Sequence, residues 1–94
     1  MKIAIVIRQN QNEVNKSEIE KIRRAVKSAH PGCSTKIYAN ENVENVEFSH
    51  GIPVVKESEV MFFSTHDVNG KVWATLEYST VNSTVYSNIH TVSL

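Results

Sequence analysis

The chain has 94 residues, 40% hydrophobic and 21% charged, enough for the core of one domain over 1–94 and too apolar for disorder. No apolar run is long enough for a membrane helix, nothing resembles a signal peptide, and one cysteine, Cys33, precludes an internal disulfide, so a cytoplasmic location is expected. Net charge is zero, yet residues 1–36 hold eight Lys or Arg against three Glu (+5) and residues 37–94 two Lys against seven acids (−5), which foresees a basic face and an acidic face unless the fold scrambles them.

Lys2 to Arg8 (KIAIVIR) is an unbroken β-branched run around Ala4, the pattern of a central strand buried on both sides. The following QNQNEVNK is rich in amides and aperiodic, a surface loop. It has no glycine, and glycines are what let a backbone approach phosphate, so a nucleotide loop is not expected. Ser17 and Glu20 form a Ser-x-x-Glu capping box, and Ile19, Ile22, Val26 and Ala29 then recur at helical spacing until His30-Pro31-Gly32 stops the helix. Its polar side carries Lys16, Lys21, Arg23, Arg24 and Lys27. Ser34 to Ala39 is the next strand, parallel to the first through a right-handed crossover. Asn40 to Ser49 is either a short helical turn or an irregular edge segment, and Gly51 to Lys56, with Pro53 lacking an amide donor, belongs at a sheet edge.

Val60 to Ser79 reads as one hairpin turning at Asn69-Gly70, since a two-residue type I′ turn needs φ > 0 twice. Val68 then faces Lys71. Met61, Phe63, Thr65, Asp67, Val72, Ala74, Leu76 and Tyr78 share one face, and Phe62, Ser64, His66, Trp73, Thr75 and Glu77 the other. Thr84 to Leu94 returns as a last antiparallel strand with Tyr86, His90 and Val92 on the Phe62 face. The class is therefore α+β, of β-α-β-β-β type, with one helix on a four- to five-stranded mixed, mostly antiparallel sheet.

No catalytic, cofactor or metal motif is present. His30, His50, His66 and His90 have no zinc-like spacing, and adjacent His66 and Asp67 point to opposite sides of a strand, so one cannot orient the other. His30 and Cys33 are three apart but across Pro31-Gly32, so no histidine is placed within reach of the thiol, and Glu57 and Glu59 suit turn solvation and edge protection better than acid–base work. One helix covers one sheet face, so a second apolar face is left to Asn40 to Lys56, to a second copy or to a partner. The resulting expectation is a non-enzymatic protein-binding module, an inhibitor or accessory protein such as a phage or mobile element would carry, forming a homodimer and using Phe62, His66, Trp73 and Tyr86. The alternative is a nucleic-acid binder using Lys21, Arg23, Arg24 and Lys27 with Arg8 and Lys36; third comes a small hydrolase or nuclease with a site assembled from distant residues.

Overall fold

The computed structural model describes residues 1–8, 14–68, 72–79 and 86–93, with side chains described through Ser64 and over Thr75 to Ser79. Strands β1 (Lys2–Ile7), β2 (Ser34–Ala39), β3 (Glu47–Ser49), β4 (Ile52–Val54), β5 (Val60–Val68), β6 (Val72–Ser79) and β7 (Tyr86–Ser93) accompany one α-helix, α1 (Lys16–Ala29), and a 3₁₀ segment, Asn40–Asn45. The main sheet runs β2-β1-β5-β6-β7. Its first two joints, β1 with β2 and β1 with β5, are parallel, and its last two antiparallel. With the small β3-β4 hairpin counted, three of five pairings are antiparallel, and the α+β class holds.

β1 is buried on both sides because its neighbours supply both layers. Ile3, Ile5 and Ile7 join Ile22, Val26, Val60 and Phe62 beneath α1, while Ala4 and Val6 join Val46, Met61, Phe63 and Tyr78 on the opposite side. Each isoleucine so enclosed contributes roughly 1.5–3 kcal/mol over its exposed state. The helix stripe is Ile19, Ile22, Ala25 and Val26; Ala29, the last helical residue, is exposed.

The helix cap lies two residues before the expected one. Asn15 is the N-cap: its Oδ1 accepts from Glu18 N at 2.9 Å, and its Nδ2 donates to Glu18 Oε1 at 2.9 Å. Asparagine caps as well as serine does, and Glu18 stands at the position a capping box requires. Glu20, freed from that role, pairs with Arg23.

Two expectations about the sheet faces are corrected. Phe62 does not lie on an open face: it is 1% exposed, packed in the cluster beneath α1, with His30 edge-on at 5.7 Å. The segment 40–56 covers the other face instead, through Val43, Val46, Phe48 and Val55 against Met61, Phe63 and Tyr78. The hairpin register holds from Met61↔Tyr78 to Ser64↔Thr75, then shifts by one, so that Asp67 pairs with Trp73 and Val68 with Val72 rather than Lys71. Thr65 and His66 stand opposite the single Ala74, the two-against-one count of a β-bulge. The bulge removes His66 from the place beside Trp73 that a regular hairpin would give it. The Asn69-Gly70 turn lies outside the described residues. β7 pairs with β6 in the foreseen sense, Tyr86, His90 and Val92 taking register positions opposite Ser79, Thr75 and Trp73.

Candidate functional site

Of the expected anchors, Phe62 is core, and the side chains of His66, Trp73 and Tyr86 lie outside the described residues. The cations of the alternative reading are divided. Lys21, Arg24 and Lys27 are exposed on α1, but Arg23 donates to Glu20 at 2.7 Å and Arg24 lies 3.8 Å from the same carboxylate. The Arg23 hydrogen bond holds Glu20 below the ordinary carboxylate range. Arg8 and Lys36 sit across the sheet, over Phe48 at 5.2 Å and Tyr38 at 5.3 Å, two rings packed in the layer opposite α1.

The chain crosses one face through α1 and returns over the other through 40–59, so the carboxyl ends of β1 and β5 form a topological switch point, where open sheets commonly bind ligands. The described polar groups there are already engaged. Asn40 spends its amide on Val14, accepting from the backbone N–H at 2.7 Å and donating to the carbonyl at 3.1 Å. Asn15 and Glu18 close the helix start, and the Arg8 backbone N–H donates to the Ser64 carbonyl at 2.8 Å.

A different region is open. Among the described residues, β2 ends the main sheet and pairs on one side only, with β1. Beside it run two adjoining shallow grooves of about 310 and 260 Å³ that share Tyr38, Val55 and Glu57. The first extends to Lys2, Thr35 and Lys36, the second to Asn45, Glu47 and Lys56. The far wall turns where Ser58 N donates to the Val55 carbonyl at 3.2 Å, and it is fixed to the sheet by Glu59 N, which donates to the Lys2 carbonyl at 3.0 Å. The result is a half-apolar trough, floored by Tyr38 and Val55 and rimmed by charges of both signs. Such a site can hold an extended chain by main-chain hydrogen bonds and side-chain contacts. Of the residues that line this region, the sequence singles out Lys36 as a candidate cation and Glu57 as an edge carboxylate, and neither as part of a trough. The trough lies between β2 and residues 54–58, which line it together across some twenty positions of sequence, a juxtaposition that no local pattern announces.

One half-buried pair was equally unannounced. His30 Nε2 lies 3.1 Å from Glu77 Oε2, beneath the end of α1, and joins the helix to β6 across 47 positions. It belongs to a row of buried polar residues that includes Ser64 and Thr75, whose hydroxyls meet at 2.6 Å. Among the described residues, no group of three or more His, Cys, Asp or Glu could hold a metal ion, and no helix is long and apolar enough to cross a membrane. No known family model, curated protein or solved structure matches the chain.

Proposed function

We propose that the chain is a non-enzymatic protein-binding module, of inhibitor or accessory type, that takes an extended segment of a protein partner along the β2 edge. The observation that carries this reading is the conjunction of a one-sided edge strand with a trough beside it. Strand addition supplies affinity through the backbone groups of Ser34–Ala39, and the trough selects alternate side chains of the added strand. Six residues of β2 span roughly 20 Å, room for a peptide of similar length. With both faces of β1 and the base of β5 covered by this chain's own layers, a partner reaches this end of the sheet at the β2 edge without displacing core.

Linear peptides selected from a displayed random library provide the test. Peptides bound to the wild-type protein are expected to slow amide exchange across Ser34–Ala39 and along Val55 to Glu57. A selection whose binders protect only α1 or β7 would overturn the reading.

A further inference from the structure

We infer that the segment best fitted to the β2 edge is β2 of a second copy, paired antiparallel about a two-fold axis perpendicular to the sheet. The inference rests on the edge reading above and names its partner. Only an axis in that direction can place two copies of one edge strand side by side and antiparallel, and it keeps both helices on the same face of a continuous ten-stranded sheet.

The symmetry leaves few registers. Directly opposed residues must point to the same face, so Lys36 can oppose Ser34, Lys36 or Tyr38 of the second copy. Lys36 opposite Lys36 sets like charges in contact, which is destabilising. Lys36 opposite Tyr38 places Ile37 against Ile37 at the axis and Thr35 against Ala39, and so uses five of the six strand residues. The ammonium then meets a ring face, the contact Lys36 already makes with its own Tyr38 at 5.3 Å.

Charge supports the same direction. Lys2 and Lys36 line the trough toward the amino end of β2, whereas Glu47 lines it beyond Tyr38, where the chain of β2 passes into Glu41 and Glu44. Glu57 lines both stretches, Glu59 stands beside Lys2 with its Oε1 3.4 Å from the Lys2 backbone nitrogen, and Lys56 lines the second stretch beside Glu47, so each end keeps a net excess after one opposite charge of its own. Antiparallel pairing brings each basic end against the acidic end of the other copy, twice per dimer, while parallel pairing would set like ends together. The short strand and its lysine, usual guards of an edge against indiscriminate pairing, here admit one register and disfavour its neighbour.

Sedimentation velocity with charge reversal tests this. The wild-type chain should dimerise, with amide protection across Ser34–Ala39 that rises with protein concentration. Lys36→Glu and Glu47→Lys should each shift the protein to monomer, and an equimolar mixture of the two should restore a heterodimer, because opposite signs then face at both ends. A wild type that stays monomeric up to about 1 mM, or a mixture that stays monomeric, would overturn self-pairing; library peptides that still protect Ser34–Ala39 would leave the edge reading standing. A dimer whose protection lies on α1 or β7, with peptides that do not protect β2, would sink both.

Discussion

Asn40 shows how much one residue can decide. Its backbone sits at φ 56°, a left-handed conformation that asparagine tolerates better than most residues, and its side-chain amide serves both polar groups of buried Val14. One asparagine thus ends β2, turns the chain into the 3₁₀ segment and anchors the entry to α1. Asn40→Ala should cost about 2–3 kcal/mol, because the backbone strain is kept and both Val14 groups lose their partner; Asn40→Gly should recover only the strain. Urea denaturation of the wild type and the two variants checks the order, and an Asn40→Gly variant as stable as the wild type would show that the Val14 contacts contribute nothing. Neither this role nor that of His30 against Glu77 was legible in the sequence, since each partner is remote and an isolated asparagine or histidine carries no periodicity.

Elements whose signal is local were read well, and elements defined by what they pack against were not. β1 announced itself because a strand covered on both sides must be apolar at every position. The helix followed from its stripe, although its cap was misplaced by two residues because Asn15 and Ser17 each have a glutamate three positions on. The β3-β4 hairpin has no such signal: it turns at His50 and Gly51, φ 52° and 80°, the double positive φ that the sequence suggests for Asn69-Gly70. Its strands have three residues each, too few for alternation to emerge. What holds this small hairpin to the sheet includes Tyr78, whose hydroxyl donates to the Pro53 carbonyl. Burial pushes the Tyr78 phenol well above its ordinary value near 10. An acid whose folded pKa is raised favours the fold in its neutral form, so stability is unaffected below about pH 10 and declines as pH rises above that, where the unfolded phenol ionises. Tyr78→Phe should lose about 1 kcal/mol at neutral pH and flatten that alkaline decline. Thermal melts at pH 8 and 10.5 measure both effects, and a decline unchanged in the variant would locate its cause elsewhere.

At the scale of the whole molecule, the sequence charge asymmetry survives only in part. Residues 16–29 remain a basic layer, five Lys or Arg against two Glu, and residues 40–59 an acidic one, five Glu against Lys56. Yet Arg8 and Lys36 lie on the acidic side of the sheet, stacked on Phe48 and Tyr38, so three-dimensional separation is weaker than the split along the chain. This bears directly on nucleic-acid binding, which needs cations that reach one phosphate backbone together. On α1 the exposed ones are Lys16, Lys21, Arg24 and Lys27. At 100° per residue, Glu20 stands within the sector of Lys16, Arg24 and Lys27, and it is already hydrogen-bonded to Arg23. Phosphates would approach a stripe with a carboxylate inside it. Four contacts would give a log–log salt slope of about −3.6, and any steeper slope needs cations from beyond the exposed helix set. Titration of labelled single- and double-stranded DNA and RNA at about 50 mM salt should therefore find no binding tighter than micromolar, since non-specific affinities in that range rest on more contacts than this helix presents. Tight binding with a slope near −6, abolished by reversing Lys21, Arg24 and Lys27, would show that the helix works with cations the fold places elsewhere, and would move the functional surface from the β2 edge to the basic layer.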